Sequence, residues 1–303
     1  MKKLYTDTIL DTPRFSLGEC PTWIQASNTL FWIDITEKKL LSFELSSQIF
    51  HSASLPQEPG CIAPIADHSL LIAMRDGIYS FNIEKKILTQ LITAPYDVHI
   101  ERFNDGKCDA MGRLWVGTVF EPKTSNNAGL YCFQSGPMGY QMQLMASDNM
   151  TANGLAFDSK NQLMYWSNTP AHQIDQFDLN LDTGQIANRR PFKIFNPMRP
   201  PDIYEGRPDG ACIDADNCYW VAMYGGSKVI RLSPQAEILT EINLPCQFPT
   251  MVCLGGFDFK TLFITTASKS LNTEQLQEAP LSGHVFQIPV DTPGLPINAF
   301  KTW

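Results

Sequence analysis

Three polar residues occupy the same place in a repeated pattern. Asn104, Asn153 and Asp209 each stand five positions before an Asp (Asp109, Asp158 and Asp214). Each has a Gly close by (Gly106, Gly154 and Gly210), and each pattern runs through a turn into an aromatic strand at Trp115, Trp166 or Trp220. Glu19, within Leu17-Gly18-Glu19-Cys20-Pro21-Thr22-Trp23, precedes Trp32 by the same 13 residues that separate Asn153 from Trp166. Taken singly, each reads as an ordinary turn residue. Taken together they are carboxylates and amides at one register, costly to desolvate unless something binds them. Glu19, Asn153 and Asp209 offer two carboxylates and a carbonyl, an all-oxygen set suited to a hard divalent cation such as Ca²⁺ or Mg²⁺ and also open to Mn²⁺, Fe²⁺ or Zn²⁺. None of the five histidines (His51, His68, His99, His172 and His284) shares that register, which weighs against a zinc hydrolase.

The elements that position these residues follow from a longer repeat. Apolar-aromatic runs begin at Leu30, Leu70, Leu114, Leu163, Cys218 and Leu262, at intervals of 40, 44, 49, 55 and 44 residues. Most are followed, after a few Gly, Asn, Ser or Asp residues, by a second strand-like run such as Gly77-Phe81, Gly129-Phe133 or Lys228-Leu232. The spacing is near that of a four-stranded propeller blade, so the chain is expected to form an all-β, six-bladed propeller of four-stranded antiparallel blades, one domain over residues 1–303. A large β-sandwich competes on periodicity alone, but the shared polar register disfavours it. Asp109-Gly112, Asp158-Asn161 and Asp214-Asn217 read as type I turns in which Asp accepts backbone hydrogen bonds. In a propeller the innermost strands line a central channel, so residues at one register of successive inner strands point to the same place. The second unit is expected to present apolar side chains there, around Ile62.

Composition bounds the rest. The chain has 303 residues, 44% hydrophobic, 11% aromatic and 18% charged, with 19 Gly, 21 Pro and a net charge of -8. An acidic chain without a Lys/Arg cluster repels phosphate backbones, which excludes nucleic acid as a partner. The start lacks the apolar core of a signal peptide, and no apolar run nears 18 residues, so a cytoplasmic protein without membrane spans is expected, monomeric or weakly homo-oligomeric. Eight cysteines at irregular spacing, without Cys-x-x-Cys, read as small buried apolar residues. No Gly-x-Ser-x-Gly elbow, P-loop or dinucleotide fingerprint is present.

Gly18-Glu19-Cys20-Pro21-x-Trp23, Arg102-Phe103-Asn104-Asp105-Gly106-Lys107, Gly112-Arg113-Leu114-Trp115-Val116-Gly117-Thr118, Asn153-Gly154-Leu155, Thr183-Gly184-Gln185-Ile186-x-Asn188-Arg189-Arg190, Arg207-Pro208-Asp209-Gly210 and Gly255-Gly256 occur in that order. In these motifs the chain resembles the gluconolactonase/regucalcin/luciferin-regenerating-enzyme family over nearly its whole length. The resemblance implies a six-bladed propeller holding one divalent metal, with Glu19, Asn153 and Asp209 at the ligand positions and Arg102 and Asn104 at the substrate-contact positions. The pattern departs from the family at Cys20, where a Gly is common, and in the Pro-rich stretch Asn196-Pro201 ahead of Asp209. It also departs near Glu121, where Pro122 occupies the place of a sugar-contacting Glu.

The resemblance further implies hydrolysis of a sugar lactone such as a glucono-, xylono-, arabino- or galactonolactone. The metal would polarise the carbonyl, and Asp209 would act as general base or orient the attacking water. Arg102 would donate to the ring or carbonyl oxygen and Asn104 to sugar hydroxyls. Two alternatives stay open: a non-catalytic metal-binding or scaffold propeller, and a phosphotriester hydrolase using the same site.

Overall fold

The computed structural model describes residues 1–65, 69–197 and 204–302. Part of the Pro-rich stretch, Met198 to Pro201, and His68 lie outside the described residues. Six sheets follow one another along the chain, each opening with an inner strand: Gly18–Ile24, Pro59–Ile65, Glu101–Cys108, Ala152–Asp158, Arg207–Ile213 and Pro249–Gly255. The aromatic runs of the repeat form the second strand of every sheet, for instance Thr29–Asp34, Leu114–Phe120 and Tyr219–Tyr224. The architecture is the expected six-bladed β-propeller.

Blades one to four have four antiparallel strands each. The last two blades depart from that plan. Blade five gains a fifth, parallel strand, because Lys2–Tyr5 pairs with Ile238–Asn243 at its outer edge. Blade six has three named strands, and the N-terminal segment completes it: Ile9 bridges Phe286, Leu10 N donates to Val285 O (2.9 Å), and Gln287 N donates to Thr8 O (2.9 Å). The N-terminal segment thus joins the last blade and closes the ring, removing the open edge that a propeller would otherwise leave.

The core lies between blades rather than within them. One apolar cluster joins blades three and four through Trp115, Leu130, Leu155 and Trp166, and another joins blades five and six through Trp220, Val252 and Phe286. A sheet buried on both faces needs apolar residues on both, which is why the second strands read as unbroken apolar runs. Two of the three Asp turns anchor their tryptophans. Asp109 and Asp214, both fully buried, accept from Trp115 Nε1 (2.9 Å) and Trp220 Nε1 (2.8 Å), from turn backbone amides, and from Arg113 and Arg231 (both 2.7 Å). All eight cysteines are free and buried, as their spacing suggested.

Candidate metal centre and substrate mouth

Every inner strand carries a one-residue bulge at nearly the same height: after Glu19, Pro59, Phe103, Asn153, Pro208 and Pro249. A bulge breaks the alternation of a strand and re-aims the residues beside it. Glu19 and Asn153 are the last paired residues before their bulges, whereas Asn104 and Asp209 sit inside theirs. The residue that follows Glu19 or Asn153 takes the left-handed conformation, Cys20 at φ 49° and Gly154 at φ 61°. The departure at Cys20 therefore places a β-carbon where glycine is conformationally easiest. Its thiol compensates by contacting blade two, accepting from Ile62 N (3.3 Å) and donating to Ile62 O (3.5 Å). In blade two the corresponding place falls to Gly60, whose missing side chain lets the backbone of Phe103 approach; a β-carbon there would lie 2.5 Å from its carbonyl. Ile62 lies further down the channel.

A hydrogen-bond chain links the polar residues of this mouth. Arg102 Nη1 donates to Asn104 Oδ1 (3.0 Å) and to Phe103 O (2.9 Å). Asn104 Nδ2 donates to Asn153 Oδ1 (2.6 Å) and Ala152 O (2.9 Å), and Asn153 Nδ2 donates to Thr169 Oγ1 (2.8 Å), which in turn donates to Pro208 O (2.8 Å). Asn104 thus spends both amide hydrogens on blade four, keeping only acceptor capacity on Oδ1 for a sugar hydroxyl. Glu121, beside the Pro122 departure, accepts from Arg75 at 2.9 and 3.0 Å and lies 3.6 Å from Arg102 Nε, while Arg75 also donates to Glu58 (2.9 Å). This Glu58–Arg75–Glu121–Arg102 series braces Arg102 from blades two and three. It escaped sequence reasoning because its members are far apart in the chain.

Burial, Asp209 and Asp105 push Glu19 well above the ordinary carboxylate range, and burial with Asp105 does the same to Asp209. Asp105, adjacent to Asn104 but unremarked in the sequence, is also raised by burial; its Oδ2 accepts from Leu155 N (2.8 Å), while its buried Oδ1 has no partner among the described residues. Neither Glu19 nor Asp209 has an ion-pair partner among the described residues. Lys269 and Arg207 reach them only as more distant charges. Among the described residues no three His, Cys, Asp or Glu side chains are spaced to hold a metal; the oxygens of the expected set are the Glu19 and Asp209 carboxylates and Asn153 Oδ1, which already accepts from Asn104. The excess of buried acceptors over donors fits a hard cation with oxygen ligands and further positions for water or substrate.

The channel is divided along its axis. Lys107 Nζ reaches from blade three to Ala211 O of blade five (2.7 Å), below the polar mouth. Beyond it lies a mostly apolar cavity of about 390 Å³, lined by later residues of the inner strands such as Ile62, Cys108, Phe157 and Val252 and crossed by Leu295-Asn298. Chemistry of the kind expected from the sequence belongs to the polar mouth, where the charged groups are.

A six-bladed propeller with an oxygen-rich cluster at one channel mouth defines the class of this protein. Residues 17–268 match the SMP-30/Gluconolactonase/LRE-like region, and the chain belongs to that family. It is 37% identical over 278 residues to a 6-deoxy-6-sulfogluconolactonase of Pseudomonas putida, covering 92% of each chain. It is 30% identical to regucalcin of Oryctolagus cuniculus, covering 89% of this chain and 90% of that one. Its fold is similar to that of a calcium-binding regucalcin from Agrobacterium tumefaciens, with a TM-score of 0.92 at 23% identity over 99% of both chains.

Proposed function

We propose that the protein is a divalent-metal-dependent lactonase that opens a sugar lactone to its aldonic acid. The observation carrying this reading is that Arg102, Asn104 and Asn153 form one hydrogen-bonded chain beside Glu19 and Asp209, so substrate-binding and cation-binding groups share a mouth. The relatives support it: one is named as a sulfogluconolactonase, and a family neighbour from Xanthomonas campestris is titled a gluconolactonase. A scaffold propeller would leave this polar cluster without a purpose.

Glu19, Asn153 and Asp209 would hold the cation, which when bound supplies Lewis acidity toward a carbonyl oxygen. Arg102, fixed through Nη1, keeps its remaining N–H groups for the lactone carbonyl or ring oxygen, where negative charge grows during attack. Asn104 holds Arg102 and Asn153 in register and accepts from a sugar hydroxyl. Water adds to the carbonyl carbon, the acyl C–O bond breaks, and the ring oxygen leaves as a hydroxyl. Asp209 takes the proton of the attacking water and returns it to that oxygen. A lactone is already a reactive ester, so positioning and modest polarisation suffice.

A panel of sugar γ- and δ-lactones in a pH-indicator assay, with and without chelator, tests this beside Asp209→Ala and Glu19→Gln. Acid release that stops with chelator and in both variants is expected. Background rates for every lactone, with metal bound, would overturn the lactonase, and chelator-resistant turnover would overturn the metal dependence. Paraoxon-type triesters in the same panel separate the phosphotriesterase alternative.

A further inference from the structure

The mouth holds more positive charge than the proposed reaction uses. Arg207 stands two residues before Asp209 on its inner strand, the spacing that puts Arg102 two residues before Asn104. The two strands bulge at the same place, after Phe103 and after Pro208, so Arg207 stands where Arg102 does, and Arg102 touches Asn104 across that bulge. The Arg207 guanidinium lies over the Tyr224 ring (5.3 Å), yet its Nε is buried without a hydrogen-bond partner among the described residues. A buried N–H with no acceptor is costly. His172 repeats the observation on the neighbouring blade: its Nδ1 is also buried and unpartnered, its ring packs edge-on to Tyr204 (6.0 Å), and burial with the nearby Arg207 charge holds it below the ordinary imidazole range.

Lys269 adds a second cation from blade six. Its backbone N–H bonds Ser16 O (2.9 Å), just ahead of Glu19, and its ammonium has no ion-pair partner among the described residues while feeling Arg102, Glu19 and Asp209. Arg75 shows the contrast, since Glu58 and Glu121 satisfy it fully. With Glu19 and Asp209 committed to a cation, Arg207 and the solvent-exposed Lys269 remain without an ion-pair partner among the described residues.

Resting on the lactonase reading, we propose that the substrate is a lactone bearing an oxyanion substituent (carboxylate, sulfonate or phosphate), and that Arg207 with Lys269 forms the subsite receiving it. A guanidinium fixed on an aromatic face presents a planar fork matched to two oxygens of such a group. Lys269, tied by its backbone to Ser16 just ahead of Glu19, adds a second positive charge from blade six.

The test compares glucono-δ-lactone with 6-phosphoglucono-δ-lactone and a 6-sulfonate analogue, which also distinguishes the anion sources. The wild-type protein is expected to favour at least one anionic lactone in kcat/KM by roughly tenfold or more, with a KM for it that rises with salt. Arg207→Gln and Lys269→Gln should each cut the anionic-to-neutral ratio by roughly tenfold while melting like the wild type. Equal kcat/KM on neutral and charged lactones, or a preference that survives both substitutions, would overturn the subsite and leave the lactonase standing. If no lactone opens, calorimetry with 6-phosphogluconate against gluconate still decides it. Selective binding lost in Arg207→Gln supports the subsite, and equal or absent binding refutes it.

Discussion

Gly154→Ala adds one methyl group between two of the proposed cation ligands, and the structure sets its cost. At φ 61° the new residue takes a left-handed conformation, at roughly 1 kcal/mol. Its β-carbon would lie 2.2 Å from Ser167 Oγ, 2.4 Å from Tyr219 OH and 2.9 Å from Asp209 O. Ser167 and Tyr219 are buried, so neither can swing aside, and the Tyr219 hydroxyl would lose its 2.6 Å bond to Gly154 O. Overpacking and that bond each add about 1–3 kcal/mol, for a total of about 3–6 kcal/mol once overlap between the terms is discounted. At about 2.1 cal/mol/K per residue, a chain of 303 residues loses roughly 5–9 °C in Tm. Gly139→Ala is the matched control: φ is 97° with nothing within 4 Å of the added carbon, so only the conformational cost applies, about 1–2 °C. Calorimetry measures both. Displacing Asn153 and Asp209 by about 1 Å should also cut lactone turnover by about a hundredfold. If Gly154→Ala melts within about 1 °C of the wild type and turns over lactone normally, the close packing argued for this bulge is wrong.

Asp214→Ala removes the acceptor for Trp220 Nε1 and Arg231 from a fully buried position and should cost about 3–5 kcal/mol, seen as a lower urea midpoint at unchanged slope. A loss under about 1 kcal/mol would show the corner to be dispensable. Burial pushes the Cys20 and Cys132 thiols up to about 12 and Cys218 to about 11. Raised values withhold the thiolate until the pH approaches them, so the native protein at pH 8 should resist a disulfide reagent that titrates 8 thiols after denaturation. Rapid native labelling would contradict the burial. Saturating Ca²⁺ or Mn²⁺ at a hundred times Kd should stabilise the fold by about 2.7 kcal/mol, and Glu19→Gln should abolish the gain; a Tm indifferent to every divalent ion would remove the metal site. Deleting residues 1–11 should destabilise and aggregate the protein far more than deleting residues 1–5, because only the longer deletion uncovers Phe286–Pro289 of blade six. Equal behaviour of the two truncations in light scattering would show that Thr8–Leu10 does not close the ring.

The repeat was legible because burial on both faces forces an apolar second strand in every blade, and because each Asp turn recurs six or eight residues ahead of its tryptophan. The polar register was legible for a related reason: a side chain held at one height in successive blades leaves a periodic mark. What escaped has no period. The closure of blade six by Thr8–Leu10 joins residues more than 270 positions apart, and nothing local in Thr8-Ile9-Leu10 distinguishes it from any extended segment. Arg75 likewise meets Glu58 across the first hairpin of blade two, and meets Glu121 only because blade two lies beside blade three. Asn104 shows what a register leaves open: its position fits a sugar contact, but only the structure shows that its amide hydrogens go to Asn153 and Ala152, leaving only the acceptor Oδ1. Arg207 is the intermediate case. Its spacing to Asp209 repeats that of Arg102 to Asn104 and was readable, yet the feature that sets it apart, a buried guanidinium N–H without an acceptor, emerges only once Tyr224 and the wall around it are in place. A repeating sequence thus locates the mouth, and the unsatisfied groups left after folding indicate what the mouth is built to receive.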